Sequence, residues 1–234
     1  MESNGTRRPQ STPRFIAPLW HTATVIVFLL AISLLSVHTH GQIPINPPRF
    51  NARLLTYYAS IVLEWLMVAW IGVGVWLRGG KLRTLIGGRW TGWRTVLRDV
   101  GVAIAFLIVA NFVLQIVGRM VPGSSNNNVR NLLPHTPLET LVFLTLALSA
   151  GFCEEIVFRG YLQQQLTGLT RSLLAGLVIQ AAIFGLSHGY QGAKLMSVIA
   201  IYGLLFGLLS HWRKSLRPGI IAHGLQDSLA VFLR

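Results

Sequence analysis

The chain alternates between apolar stretches of spanning length and short connections that are either basic or rich in Pro, Gly and Asn. The apolar stretches cover about residues 17–38, 55–77, 99–118, 137–158, 172–187, 194–212 and 218–233. A helix needs roughly 20 such residues to cross a hydrocarbon core of about 30 Å, and in lipid helices satisfy their own backbone polarity. The pattern predicts an all-α fold, a polytopic transmembrane helix bundle with about seven spans, six to eight being compatible with it. The fifth and seventh stretches are short and glycine-rich, so each is equally well read as a tilted, broken or partly buried helix. Residues 41–54 and 121–137 are the extended polar connections and are expected as loops on the outer side.

Composition narrows the class. The chain is 52% apolar and 12% charged, with a mean hydropathy of +0.55, which leaves too little polar surface for a soluble domain of 234 residues. Arg7, Arg8 and Arg14 precede the first stretch as in a secretory signal. Its apolar run is longer than a signal core and no clean small-x-small site follows, so it is read as a retained anchor. The single cysteine, Cys153, excludes an intramolecular disulfide framework and a thiolate metal cluster, and is expected to pack.

The formal charge of +13 invites a nucleic-acid reading until it is located along the chain. Three basic residues lie at the N-terminus, six in the 78–98 loop, two between Arg159 and Arg171 and three in the 213–217 loop, fourteen against six on the alternate connections. That bias predicts a cytoplasmic N-terminus and, with seven spans, an outer C-terminus. Arg78, Lys81, Arg83, Arg89, Arg94 and Arg98, interleaved with Trp76, Trp90 and Trp93, suggest an interfacial segment against anionic lipid. No nucleic-acid reading module accompanies the charge, so the expected partners are the bilayer and a membrane-associated protein, not nucleic acid.

The chemistry is concentrated late. Glu64 is the one mid-segment acid before residue 121, whereas the recurring Glu, His and Arg combinations come after 136. The expected organisation is a cytoplasmic tail, 1–16, and a single membrane domain, 17–234, with a scaffold half at 17–120 and a catalytic region at 137–230. Within Cys153-Glu154-Glu155-Ile156-Val157-Phe158-Arg159-Gly160, Glu155 and Arg159 are spaced i,i+4 and can pair on one helical face. Glu154 points about 100° away and is left for a cavity. An unpaired carboxylate among apolar residues is costly, so the doublet marks a site. His188 ends Phe184-Gly185-Leu186-Ser187-His188, and His223 shares a helical face with Asp227 at i,i+4. Imidazole beside carboxylate can stabilise an oxyanion, move a proton or ligate a metal, and residue identity leaves these open.

Glu154-Glu155-x-x-x-Arg159, then Phe184-x-x-x-His188, then His223-x-x-x-Asp227 resemble, in order, the motifs of the CPBP family of intramembrane endopeptidases. That family contains the CAAX prenyl-protein processing proteases and bacterial proteins linked to bacteriocin self-immunity. The resemblance covers roughly residues 137–230. It implies a protease of a prokaryotic plasma membrane in which Glu154 and His188 activate water and His223 with residue 227 stabilises the tetrahedral intermediate. Glu155 and Arg159 would support them, and the substrate would be a membrane-associated, possibly prenylated protein. Asp227 stands where the family pattern carries Asn, and an ionised Asp cannot donate to an oxyanion. It is therefore expected to accept the remaining imidazole N–H of His223 and orient the ring.

No cofactor is preferred, but zinc on Glu154, His188 and His223 stays open; the absence of a His-Glu-x-x-His helix favours metal-free glutamate chemistry. His21, His38, His40, His135 and His211 are read as structural or interfacial. Two other functions fit the buried ionisable groups: a proton-coupled transporter or ion-binding protein, and a catalytically weak immunity or scaffold protein. The spans show no duplicated halves, which disfavours the transporter.

Overall fold

Five of the apolar segments become helices long and apolar enough to cross a membrane: α1 (Leu19–His40), α2 (Ala52–Trp76), α4 (Trp93–Met120), α5 (Pro137–Thr170) and α7 (Ala193–Arg213). The computed structural model describes residues 15–40, 52–123 and 132–232. Expectations for Arg7, Arg8, Arg14, most of the 41–54 loop, the Asn-rich 124–131 segment and Arg234 lie outside the described residues, as does the side chain of His40. No strand occurs among the described residues, and the protein is an all-α integral membrane bundle.

The fifth and seventh apolar stretches are shorter than a full span. They form α6 (Leu173–Ser187), 15 residues, and α8 (Arg217–Ser228), 12 residues, or about 22 and 18 Å of helix at 1.5 Å per residue. Both lie against other helices: α6 packs on α7 and the end of α5, and α8 on α5 and α4. A four-residue helix, α3 (Arg83–Ile86), lies in the basic loop and presses the buried Leu85 into the core.

Helix boundaries follow local chemistry. Thr136 caps α5: its side chain accepts from the Glu139 N–H, while Glu139 accepts from the Thr136 N–H, with Pro137 at the first helical position. Ser172 caps α6 by accepting from the Ala175 N–H. Gln165 fastens the start of α1, accepting from the Ile16 N–H at 2.9 Å and donating to the Ala17 carbonyl at 3.0 Å.

Along α5 the chain runs as α-helix to Glu154, as π-helix over Glu155–Leu162, and as α-helix again over Gln163–Thr170. All eight residues of the π segment are buried. Tyr161 bonds the Nδ1 of His21 at 2.7 Å, Phe158 packs edge-on against Phe184, and Arg159 donates to the Gly203 carbonyl. His21 is a structural histidine: its Nε2–H donates to the Trp70 carbonyl at 2.9 Å, which leaves Nδ1 to accept from Tyr161. Cys153 is buried in the core cluster, where packing was expected to hold it.

The bundle exterior is apolar, with Val27, Leu66, Ile108, Phe112, Leu141 and Leu174 each more than half exposed, the surface expected of helices facing lipid. The basic connections gather at one end, where α2 closes and α4 and α8 begin, and exposed Trp76, Trp90, Trp93 and Trp212 ring that end as a membrane-interface belt.

Candidate active site

α5 and α8 run antiparallel in close register. Gly160 stands opposite Leu216, Glu155 opposite Gly219, and Gly151 opposite Gly224, where a Cβ on Gly151 would lie 2.5 Å from the Gly224 nitrogen. This crossing brings the carboxylate doublet to His223. The α8 helix starts at the level of Gly160, well inside the end of α5, so the six steps from Arg217 to His223 match the six from Gly160 back to Glu154. Bonds from the Leu216 N–H to the Ile86 carbonyl and from the Ser215 hydroxyl to the same carbonyl hold that buried start.

Glu155 is completely buried and serves two partners from one oxygen. Its Oε1 lies 3.0 Å from Arg159 Nη1 and 3.1 Å from His223 Nδ1. Arg159 is buried as well, with its guanidinium 4.2 Å from the Phe184 ring centroid and 5.0 Å from that of Phe206. The Arg159 guanidinium balances the charge of Glu155 and its Oε1 holds the His223 ring, while its Oε2 is buried without a hydrogen-bond partner.

The opposite nitrogen of His223 faces the cavity. Nε2 lies 3.6 Å from Glu154 Oε2 and 3.6 Å from Asp227 Oδ2, on the side of the ring away from Glu155. The orienting acceptor for the ring is therefore Glu155, not Asp227 as the sequence suggested. The i,i+4 spacing holds for Asp227, but a third carboxylate from α5 occupies the other nitrogen first. The Phe206 ring stacks on His223 with centroids 5.1 Å apart and completes the constraint.

His188 ends α6 and closes the cavity from another side. Its Nδ1 lies 2.8 Å from the Phe184 carbonyl, an acceptor only, so Nδ1 carries the proton and Nε2 is the basic nitrogen. Glu154, His188, His223 and Asp227 all line one cavity of about 520 Å³. Of these, Glu154 and Asp227 each approach His223 Nε2 to 3.6 Å, and His188 lines the same space.

Two contributors were not assigned a role from the sequence. Glu64 of α2 lines the same cavity and has a buried oxygen, Oε2, without a hydrogen-bond partner. The signal was present, since an acid in the middle of an apolar helix rarely lacks a reason. Gly151 is the other, and its role depends on a helix crossing that no local pattern announces. Among the described residues no group of three or more His, Cys, Asp or Glu is arranged to hold a metal ion. His38 is exposed and bonded to the Leu34 carbonyl, and His135 and His211 are exposed, all away from this cavity.

Residues 136–229 match the family model described as Type II CAAX prenyl endopeptidase Rce1-like, in agreement with the resemblance carried by the three motifs. That stretch holds α5 to α8 and the whole Glu154, Glu155, Arg159, His188, His223 and Asp227 constellation, and the family is one of membrane proteases. No curated protein and no solved structure matches the chain.

Proposed function

We propose that this protein is an intramembrane endopeptidase that hydrolyses a peptide bond of a membrane-associated protein by metal-free glutamate chemistry. The observation that carries the reading is the division of labour around His223. Glu155 holds one ring nitrogen, and the other is presented to the cavity beside the unbonded Oε2 of Glu154.

In this mechanism the Glu154 carboxylate removes a proton from water while the basic Nε2 of His188 accepts the water's second hydrogen as a hydrogen bond. The hydroxide oxygen bonds to the scissile carbonyl carbon, and the carbonyl electron pair moves to oxygen. Flanked by three carboxylates, His223 carries protons on both nitrogens; Nδ1–H stays on Glu155 and Nε2–H turns to the oxyanion. When the tetrahedral intermediate collapses, the C–N bond breaks and the proton held by Glu154 passes to the departing amine. A carboxyl and an amine terminus result, and Glu154 returns to its ionised form.

The apolar lining from Phe28, Leu29, Ile32 and Met67 suits a lipid-bearing or hydrophobic substrate segment, the class to which prenylated proteins belong. The N-terminus faces the cytoplasm of a prokaryotic plasma membrane in this reading. Its support is the gathering of the 78–98 and 213–217 basic loops at one end of the bundle.

The test is Glu154→Gln in proteoliposomes with a prenylated peptide or a membrane-protein substrate, measured beside a chelator-treated wild type. Loss of a general base lowers turnover by about 10² to 10⁴. The variant should fall by that much while melting like the wild type, and chelation should leave wild-type turnover unchanged. Normal turnover in the folded variant removes Glu154 from the mechanism, and zinc-reversible inactivation by the chelator removes the metal-free assignment.

A further inference from the structure

At the basic end of the bundle, three arginines converge on one carboxylate. Asp99, near the start of α4 and buried, accepts from Trp90 Nε1–H at 3.0 Å. It also meets Arg98 Nη2 at 3.3 Å, Arg213 Nη2 at 3.4 Å and Arg217 Nε at 3.3 Å. One negative charge cannot neutralise three guanidinium groups. The remaining described acids are elsewhere: Glu139 pairs with Arg53 at the start of α5, Glu64, Glu154 and Asp227 line the cavity, and Glu155 holds Arg159.

The cluster is built, not incidental. Arg213 is 19% exposed and Arg217 12%, and Arg213 Nε and Arg217 Nη1 are buried N–H groups without a hydrogen-bond partner. Arg217 lies over the Trp90 ring at 5.5 Å and Arg213 over the Trp212 ring at 5.3 Å, so both forks are held in place. Donors left unbonded beside two uncompensated charges call for an anion with several acceptor oxygens, and a planar guanidinium fork suits phosphate.

We infer that this cluster binds the phosphate headgroup of an anionic phospholipid. The half-exposed indoles of Trp90, Trp93 and Trp212 place it at headgroup level. Arg213 and Arg217 flank the turn into α8, so a bound headgroup fastens α4 to the helix that carries His223.

The experiment uses the full-length chain in detergent. Native mass spectrometry and thermal melting are followed with dioleoylphosphatidylglycerol, dioleoylphosphatidylcholine or inorganic phosphate added. Phosphatidylglycerol should form one retained adduct per chain and raise the melting temperature, whereas phosphatidylcholine and millimolar phosphate should not. Arg213→Gln with Arg217→Gln removes two cations near the membrane surface and should weaken the phosphatidylglycerol adduct on the order of thirtyfold. Because those arginines also pair with Asp99, Asp99→Asn serves as the second variant: it keeps every cation, removes the competing carboxylate and should tighten the adduct. Equal retention of the two lipids, protection by phosphate alone, or a phosphatidylglycerol adduct unchanged in both variants would each overturn the assignment.

Discussion

Gly151→Ala should inactivate the protein, and Gly224→Ala, its partner across the same crossing, should not. A Cβ on Gly151 would stand 2.5 Å from the nitrogen and 2.8 Å from the Cα of Gly224, both backbone atoms of α8. A Cβ on Gly224 would stand 3.3 Å from Leu148 Cδ2, the end of a side chain that can rotate. Ordinary contact begins near 3.4 Å, so the first substitution must push α5 and α8 apart by close to 1 Å at the point where they deliver Glu154, Glu155 and His223. Overpacking of this kind costs about 1–3 kcal/mol. The geometric effect is larger: the 3.1 Å bond from His223 Nδ1 to Glu155 would open beyond hydrogen-bond length. A misplacement of about 1 Å is worth roughly 10² in rate. Cleavage in proteoliposomes should therefore fall about a hundredfold for Gly151→Ala and stay within about threefold of wild type for Gly224→Ala, both proteins still inserting. Similar losses in the two variants, or near-normal turnover in Gly151→Ala, would refute the claim that this contact sets the site.

Breaking the buried pair should damage the fold more than removing the proposed base does. Glu155→Gln leaves a buried guanidinium without its carboxylate, and Arg159→Met leaves the carboxylate with His223 alone; each should cost about 3–5 kcal/mol, read as earlier thermal inactivation and faster proteolysis, while Glu154→Gln melts like the wild type; equal melting of all three contradicts the division. Asp227→Asn separates the two accounts of His223. If Asp227 oriented the ring, losing its carboxylate would resemble the loss of a triad aspartate, on the order of 10⁴ in turnover. With Glu155 in that place, the asparagine amide adds a donor facing the oxyanion, and turnover should hold or rise; a fall beyond about tenfold sinks the assignment.

Most of the site was legible because its chemistry is costly to place in a membrane. Carboxylates and imidazoles stand out against apolar helices, so Glu154, Glu155, Arg159, His188, His223 and Asp227 could be singled out, and the Glu155–Arg159 pair follows from spacing alone. Which carboxylate reaches which ring nitrogen was not legible. Spacing says that Asp227 can reach His223, but it cannot say that Glu155, 68 residues away, takes Nδ1. Span count has a similar limit, since length separates α6 and α8 from full spans only after their ends are located.

The depth of His223 shows how the tertiary arrangement completes what the sequence leaves short. Counted from a membrane surface, a helix beginning near Pro218 would leave His223 too shallow to meet Glu154. The structure removes the mismatch by starting α8 inside the protein. The turn before it hangs from Ile86 beside α3, and Leu85 and Leu216 both press on Gly160, where a Cβ would meet them at 3.2 and 3.0 Å. Gly160 lies in the π segment, all of whose residues are buried. A π turn carries more residues around the helix than an α turn does, and such insertions recur at functional sites. Here that segment receives α3 and the start of α8 at Gly160, α1 at Tyr161 and α6 at Phe158, while Glu155, at its first position, holds Arg159 and His223. One widened stretch of helix thus sets both the depth of α8 and the orientation of its histidine, which leaves Glu154, one residue before it, facing the cavity with an oxygen to spare.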